Sequence, residues 1–224
     1  MKSVPVITID GPGGAGKGTV SHAIARELGW HFLDSGAVYR LLALAALRRG
    51  MDLNDLAGLT ALAENLDAVF PVAGGDTVLL DGEAVGREIR TEAVGNAASQ
   101  IAALTEVRAA LLERQRAFRR APGLVADGRD MGTVVFADAP VKIFLTASIE
   151  ERTKRRYKQL KAKGIDVTLP AVEKEIEERD RRDASRATAP MRPAGDAIVI
   201  DTSQLDIPSS IARVREIIRA AHLV

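Results

Sequence analysis

The stretch that decides the fold is Gly11-Pro12-Gly13-Gly14-Ala15-Gly16-Lys17-Gly18-Thr19. It follows an apolar run, Val4–Ile9, that is typical of a buried strand, and it precedes Val20–Leu28, whose pattern predicts a helix. In such a loop the glycines let successive backbone N–H groups turn toward an anion, and the helix N-terminus adds unpaired donors. The stretch therefore predicts a loop that binds nucleotide phosphates. Lys17 would reach the β- and γ-phosphates, and Thr19, directly or through a water, would face Mg²⁺.

The spacing of Gly11, Gly16 and Lys17 fits the phosphate-loop pattern GxxxxGK, but Gly18 stands where Ser or Thr is usual, and Thr19 comes one position later. The simpler alternative is a flexible glycine turn between a strand and a helix. Four glycines before the lysine, together with these flanks, favour the phosphate loop. The ending GKGT resembles the loop of the nucleoside monophosphate kinases rather than that of the GTP switches.

The composition is that of an ordinary globular protein, with 46% apolar and 27% charged residues in a chain of 224 residues. This length suits one sizeable core, with or without small insertions. A net charge of +1 gives no field that would attract nucleic acid or a membrane. The chain has no cysteine, and its three histidines lack metal-ligand spacing, which argues against disulfides and zinc. Without a signal-like start or an apolar run near the roughly 20 residues of a membrane helix, we expect a cytoplasmic enzyme.

Short apolar runs alternate with helical patterns along the chain. The predicted strands are Val4–Ile9, Trp30–Leu33, Leu124–Ala126, Val141–Leu145 and Ala197–Ile200. The predicted helices are Val20–Leu28, Ala37–Arg49, Thr105–Arg119, Glu150–Lys163, Val172–Ala187 and Pro208–Ala221. The alternation predicts an α/β fold, a doubly wound parallel sheet of five strands flanked by helices. Ligands of such sheets bind beyond the carboxyl ends of the strands, where Asp34, Asp127 and Asp201 follow three of the runs.

Two segments interrupt the alternation. Between Leu66 and Ile89, glycine-bearing turns separate β-leaning pieces, which predicts a small antiparallel meander attached to the main sheet. The pieces are Ala68–Val72, Thr77–Leu80 and Glu83–Val85, and the turns are Gly74-Gly75-Asp76 and Asp81-Gly82. The other segment, Glu150–Arg192, is rich in arginine and lysine, and we interpret it as a helical arm that can cover a bound anion.

Charged residues follow two of the predicted strands. In Asp34-Ser35-Gly36, either Asp34 or Ser35 suits an ordinary helix cap, and capping is compatible with contact to a substrate. Asp127-Gly128-Arg129-Asp130 resembles a Walker B segment, whose carboxylate holds Mg²⁺ directly or through water, although a simple charged turn is an equal alternative. If Arg129 faces the phosphate loop, its guanidinium can hold a phosphate through two hydrogen bonds.

The segment 177–186, EERDRRDASR, places arginines and aspartates at helical steps of three or four. One interpretation is a solvated helix with ion pairs between neighbouring turns. The other is a set of mobile arginines that neutralise a transferred phosphoryl group, a task that Arg152, Arg155 and Arg156 could share although surface charge explains them as well. Nothing local distinguishes Ser99 or Arg108 from surface residues of a helix.

Over nearly its whole length the chain resembles the bacterial cytidylate kinases. The resemblance is carried by the segments IDGPGGAGKGT, FLDSGAVYR, REIRTEAVGNAASQIAALTEVRAALLERQRAF, LVADGRDMGTVVFADAPVKIFL and ERDRRDASRATAP. DSGAVYR and ADGRDMGTVVF are specific to that family, and Ala137 stands where the family often has proline. The resemblance implies a core of residues 1–36, 98–149 and 188–224, a monophosphate-binding insertion at 37–97 that includes the meander, and a short helical lid at 150–187.

The resemblance also implies the reaction and the roles of individual residues. MgATP would phosphorylate CMP or dCMP, with the loop from Gly11 to Thr19 on ATP, and with Mg²⁺ carried by ATP and reached by Thr19 or Asp127 through water. The residues implied for the acceptor are Ser35, Arg108 and Asp130 at the cytosine edge, Arg40, Arg129 and Arg186 at the phosphate, and Ser99, Arg179 and Asp183 near the sugar. Lys17, Arg129 and Arg186 would act on the transferred group. Cytosine offers an amino donor beside acceptors, which a carboxylate or hydroxyl and a guanidinium complement.

Three alternatives stay open at this point. The acceptor could be another monophosphate, such as UMP or AMP. A nucleotide-binding regulator without a small-molecule acceptor would not need the arginines at 40, 129 and 186. A role in nucleic-acid binding has little support from a near-neutral chain with 4% aromatic residues. We expect a monomer whose partners are ATP and CMP or dCMP, with no membrane or nucleic-acid partner.

Overall fold

The structure is a computed structural model, and it describes residues 4–70 and 78–223. Its centre is a five-stranded sheet in the order β2-β6-β1-β7-β8, and all neighbouring strands are parallel. The strands are β1 (Val6–Asp10), β2 (His31–Asp34), β6 (Leu124–Gly128), β7 (Val141–Thr146) and β8 (Ile198–Asp201). The predicted doubly wound sheet is confirmed, with strand limits that shift by one or two residues. Asp10, Asp34, Asp127 and Asp201 lie within the ends of the strands rather than after them.

Eight α-helices lie in the described part of the chain. They are α1 (Lys17–Leu28), α2 (Ser35–Arg48), α3 (Leu56–Glu64), α4 (Glu92–Ile101), α5 (Thr105–Arg116), α6 (Ile149–Ala162), α7 (Leu169–Ala184) and α8 (Ile207–Ala220). Six correspond to predicted helices. Two of these begin three residues early: α1 at Lys17, after the left-handed Gly16, and α7 at Leu169, because Thr168 caps it. Helices α3 and α4 were not among the predicted ones, although Asp55 and Thr91 cap them.

The predicted meander is present as a second sheet. Strands β3 (Ala68–Val69), β4 (Leu79–Leu80) and β5 (Glu83–Ala84) pair antiparallel in sequence order, and they form a sheet separate from the central one. A 3₁₀ turn, Glu88–Arg90, follows them and leads into α4. The predicted turn Gly74-Gly75-Asp76 lies outside the described residues.

Two hydrophobic clusters pack against the central sheet. Successive strand residues alternate between them: Leu124 and Ala126 belong to the cluster with α2 to α5, whereas Val125 belongs to the cluster with α1 and α8. The first cluster also contains Leu59 of α3 and Leu80 of β4, so the segment 37–97 shares its core with the sheet. The division into core, insertion and lid stays a prediction. Among residues 4–70 and 78–223, none of the helices combines the length and apolar character needed to cross a bilayer.

Candidate functional site

The loop between β1 and α1 has the backbone that its glycines predict. Gly11, Gly14 and Gly16 have φ angles of 140°, 81° and 89°, which L side chains rarely adopt. Packing adds a second constraint at Gly11, where a Cβ atom would lie 1.9 Å from the carbonyl oxygen of Leu145. The amino group of Lys17 is buried and donates a hydrogen bond of 2.9 Å to the carbonyl oxygen of Pro12. The lysine is therefore held back inside the loop, where phosphate oxygens would be its partners.

Arg129 faces this loop, which is the condition for its guanidinium to bind a phosphate there. A Cβ atom on Gly13 would lie 3.8 Å from its Nη2 atom. Its Nε atom donates 3.1 Å to the Oδ2 atom of Asp183, and Nη1 donates 3.1 Å to the carbonyl oxygen of Gly128. Burial lowers the pKa of Arg129, but Asp183 and Asp127 outweigh burial and raise it above its ordinary value. The guanidinium is thus a fixed positive charge beside the loop.

The positive charges of the site repel one another. Burial, followed by the nearby Arg129, lowers the pKa of Lys17. The same two causes lower the pKa of Arg179 to about 10. Burial also lowers the pKa of Arg40 and of Arg186, and Arg129 adds to the decrease in both. A group of mutually repelling cations around a glycine loop has the electrostatics of a site for anions, because a bound phosphate would relieve the repulsion.

Asp183 is the anion that holds part of this group together. It is buried in α7, accepts from Arg129 and also forms an ion pair with Arg186, three residues later. Burial raises the pKa of Asp183, yet Arg129, Arg186 and Arg179 together bring it below its ordinary value. The segment 177–186 is therefore turned inward at Asp183 and Arg186 and is not simply a solvated helix.

Asp127 has the environment of a carboxylate for a nucleotide-bound cation. It is buried near the end of β6, and its Oδ2 atom lies 3.4 Å from the position of a Cβ atom on Gly18, next to Thr19. Burial raises its pKa, and the nearby Lys17 opposes that shift. Carboxylate and hydroxyl oxygens suit Mg²⁺, which commonly binds one or two carboxylates together with substrate phosphates. Over residues 4–70 and 78–223, groups of three or more potential metal ligands do not occur. Asp127 and Thr19 offer oxygen ligands of the kind that Mg²⁺ takes when substrate phosphates complete its coordination.

The three residues assigned to the cytosine edge either lie in α5 or contact a side chain of α5. Arg108, in that helix, forms a buried ion pair with Asp130 and donates 3.2 Å to the carbonyl oxygen of Ala102. Ser35, the first residue of α2, donates 2.8 Å to Gln115, two turns after Arg108 on the same face of α5. Burial raises the pKa of Asp130, and Arg108 opposes the shift. Because Asp130 directly follows Arg129, the chain joins this polar group to the phosphate loop.

The remaining predicted residues lie around this centre. Arg40 of α2 donates 2.8 Å to the carbonyl oxygen of Ile89 and packs within 3.0 Å of the Cβ position of Gly95 in α4. Ser99 is buried in α4, and its hydroxyl has no hydrogen-bond partner among the described residues. Asp34 caps α2 by accepting 3.0 Å from the backbone of Ala37, so the cap considered for this segment is real. The cap leaves the hydroxyl of Ser35 free to bond Gln115.

Three further residues organise the site, and sequence reasoning missed two of them, Asp10 and Gln115. The carboxylate of Asp10 accepts from two backbone N–H groups of the turn after Asp130. Gln115 bonds Ser35. Arg152 is buried, donates 3.3 Å to the carbonyl oxygen of Gly13, and forms a 2.6 Å ion pair with Asp180. A buried strand that ends in Asp was a usable signal for Asp10. The sequence around Gln115 held no comparable signal, because this residue lies in a helix that is rich in charged residues. Arg152 was a candidate for neutralising a transferred phosphoryl group, with surface charge as the alternative.

Comparison with known proteins gives a uniform result. The family model described as cytidylate kinase matches residues 7–220. The cytidylate kinase of Stutzerimonas stutzeri (strain A1501) is 60% identical over 217 residues, which are 96% of this chain and 95% of that protein. That of Pseudomonas aeruginosa (strain UCBPP-PA14) is 59% identical over 215 residues, 95% and 94% of the two chains. That of Aeromonas hydrophila is 60% identical over 211 residues, 94% and 92%. With a phosphate loop, a group of arginines beside it and this similarity along its length, the chain belongs to the cytidylate kinase family.

Proposed function

We propose that this protein transfers the γ-phosphoryl group of MgATP to CMP or dCMP and releases ADP with CDP or dCDP. The observation that carries the proposal is the placement of two consecutive residues. Arg129 lies beside the phosphate loop, and Asp130 forms the buried ion pair with Arg108. We therefore assign one side of this short segment to a phosphate and the other side to the polar edge of a base. A nucleotide-binding regulator would need only the first of these.

The donor half of the proposal is the loop from Gly11 to Thr19. We assign its backbone N–H groups and Lys17 to the phosphates of ATP, with the donors at the start of α1 completing the anion site. Mg²⁺ bound with ATP would neutralise charge on the β- and γ-phosphates, and Thr19 and Asp127 are the residues that would reach it, directly or through water.

The acceptor half uses residues from α2, α4, α5, α7 and the segment after β6. We assign the phosphate of CMP to Arg40, Arg129 and Arg186, and the sugar to Ser99, Arg179 and Asp183. The unpartnered hydroxyl of Ser99 and the unpartnered Nε atoms of Arg179 and Arg186 among the described residues support these assignments, since a ligand would complete their hydrogen bonds. Ser35, Arg108 and Asp130 take the base.

The chemistry needs no side-chain nucleophile. An oxygen of the CMP phosphate forms a bond to the γ-phosphorus in line with the leaving oxygen, and the bond from that phosphorus to the β-phosphate oxygen of ADP breaks. Lys17, Arg129 and Arg186 act by position and charge on the transferred group. Helices α6 and α7 form the proposed lid, and their closure would exclude water, which otherwise competes with CMP as acceptor.

The proposal extends to the state of the protein in the cell. It functions as a monomer in the cytoplasm, with the core, insertion and lid limits given by the family resemblance. Sedimentation of the purified chain at several concentrations tests the monomer, and a mass that doubles over the working range would contradict it.

A coupled assay that detects ADP tests the function. With MgATP held constant, CMP, dCMP, UMP and AMP are supplied in turn, and the nucleoside diphosphate products are separated by chromatography. We expect CDP and dCDP to form fastest. A faster rate with UMP or AMP would reassign the acceptor, and phosphate release without CDP would favour a regulator.

A further inference from the structure

We infer that Gln115 is a positioning residue that makes the hydroxyl of Ser35 an obligate hydrogen-bond acceptor toward the base, so that it favours cytosine over uracil. The inference rests on the proposed function, which places the cytosine edge at Ser35. Gln115 is fully buried in the last turn of α5. Its Oε1 atom lies 2.8 Å from the Oγ atom of Ser35.

The orientation of the Gln115 amide follows from a backbone carbonyl beside it, because the other neighbouring group, the hydroxyl of Tyr39, can donate or accept and so imposes no direction. The Nε2 atom lies 3.5 Å from the carbonyl oxygen of Leu111, one turn earlier in α5. A carbonyl oxygen only accepts, so the amide must turn its NH₂ group toward Leu111 and its oxygen toward Ser35. The reversed amide would place its own oxygen against that carbonyl oxygen in a buried place, with no donor between the two.

The direction of the Ser35 hydroxyl then follows. Because Oε1 of Gln115 only accepts, the proton of the hydroxyl must point to it, and the lone pairs of Oγ face away. In that state Oγ can accept from the N4 amino group of cytosine. It cannot donate to the O4 atom of uracil, so uracil would place two acceptors against each other. Buried polar groups that stay unpaired with the wrong ligand are an effective source of discrimination.

In this role Gln115 differs from a residue that only fills the core. Removal of the amide oxygen would free the hydroxyl to rotate and donate to uracil. The consequence is a change in preference between two substrates, and loss of packing alone would not produce it. The change in preference also requires the hydroxyl of Ser35, so a variant that lacks this hydroxyl provides a second test.

The test measures kcat/KM for CMP and for UMP with the full chain. In Gln115→Met, which keeps the volume and loses both polar groups, we expect the CMP-to-UMP ratio to fall about tenfold. In Gln115→Glu, the buried carboxyl group in its protonated form keeps one donor for Leu111 and one acceptor for the hydroxyl, so the ratio should stay within about threefold of the wild-type value. In the Ser35→Ala background, Gln115→Met should change the ratio by less than about twofold, because the hydroxyl it acts through is gone.

Leu111→Ala is the matched control. It removes a buried side chain one turn away and lowers stability, but it keeps the backbone carbonyl that orients Gln115, so the ratio should not change. An unchanged ratio in Gln115→Met, or an equal fall with and without Ser35, would overturn the inference. Wild-type protein that phosphorylates neither CMP nor UMP would instead overturn the proposed function, so the two failures are distinguishable.

Discussion

The carboxylate of Asp10 accepts a hydrogen bond of 2.8 Å from the backbone N–H of Met131, and a second of 2.8 Å from that of Gly132. Asp10 ends β1 and directly precedes the phosphate loop, while Met131 directly follows Asp130. One buried side chain therefore fixes the segment that carries Arg129 and Asp130 to the strand that carries the loop. The distance between the phosphate loop and the segment with Arg129 and Asp130 depends on this link.

Replacing Asp10 by Asn should lower the free energy of unfolding and make that free energy depend less on pH. The amide of Asn has one acceptor oxygen where the carboxylate has two, so one buried N–H loses its partner, at a cost of about 1–3 kcal/mol. Burial raises the pKa of Asp10 from 3.8 to about 7 in the folded state. Asp10 is then protonated more in the folded than in the unfolded chain between these values, and its contribution to stability falls as pH rises through that window.

Urea unfolding of both proteins at pH 5 and pH 8 measures this effect. The stability advantage of the wild type over Asp10→Asn should be larger at pH 5 than at pH 8. Asp196→Asn, which alters an exposed carboxylate paired with Lys142, provides the comparison and should show no such trend. An advantage that grows toward pH 8 would contradict the assignment.

The sequence was informative about the sheet because strands β1, β6 and β7 are buried along most of their length and contain short apolar runs. Helix α4 was harder to predict, since Gly95, Asn96 and Ser99 have low helix propensity. The structure gives a reason for Gly95: a Cβ atom there would lie 3.0 Å from both terminal nitrogens of Arg40. The residue that weakens the helical pattern is the one that makes room for a proposed phosphate ligand.

Residue order alone indicated only part of the candidate site. It indicated the loop from Gly11 to Thr19 and a possible phosphate contact for Arg129, whereas the role expected of Asp130 came from the family resemblance. Gln115 meets Ser35 across 80 positions, and Arg152 meets Gly13 across 139. Contacts of this range depend on how α5 and α6 pack, and periodicity identifies the buried face of a helix without naming its partner.

Lys17→Ala should abolish most phosphoryl transfer and leave the fold intact. The amino group of Lys17 is buried within the loop. Burial and the nearby charge of Arg129 both lower the pKa of Lys17, so both oppose its positive charge in the free protein. Its removal should therefore cost little stability, while turnover should fall at least about 100-fold, as for the loss of one preorganised charge at a transferred group. Turnover is measured at saturating ATP and CMP, and stability by urea unfolding. Near-normal turnover would remove Lys17 from the mechanism.

Asp130→Ala should harm the use of CMP far more than the binding of ATP. The substitution removes one partner of a buried ion pair and leaves Arg108 without its carboxylate. We expect kcat/KM for CMP to fall about 100-fold or more. The KM for ATP should stay within about threefold, because Asp130 is not assigned to the donor half. Asp138→Ala, which breaks an exposed pair with Arg119, is the control and should change neither. Equal losses for both substrates would contradict a role at the base.

Arg152→Ala should weaken ATP use and lower stability, although surface charge was an equally good interpretation of this position from the sequence. The guanidinium donates to the carbonyl oxygens of Ala147 and Gly13 and pairs with Asp180, so it joins α6, α7 and the phosphate loop. Its loss should cost about 1–3 kcal/mol of stability and raise the KM for ATP. Lysine should not restore either property, because a single ammonium lacks the guanidinium fork.

Lys154→Ala changes an exposed residue of the same helix, α6, and is the matched control for Arg152→Ala. Its ion pair with Glu150 lies on the surface, where solvent screens it, and contributes little to stability. A fall in stability as large as that of Arg152→Ala would show that α6 responds to any change of charge, and would contradict a specific role for Arg152.

Gly11→Ala and Gly18→Ala should have opposite outcomes, although both glycines belong to the same loop. A Cβ atom on Gly11 would lie 1.9 Å from the carbonyl oxygen of Leu145, a backbone atom that cannot move without shifting β7, and its φ of 140° already disfavours a side chain. Among the described residues, a Cβ atom on Gly18 meets the Oδ2 atom of Asp127 at an ordinary contact distance of 3.4 Å. We expect Gly11→Ala to lose about 3 kcal/mol or more, within the range of severe strain and overpacking. Gly18→Ala should fold normally, and its added methyl group beside Asp127 should show as a raised Mg²⁺ requirement for turnover. Equal stability of the two variants, measured by urea unfolding, would mean that Gly11 is not fixed by β7.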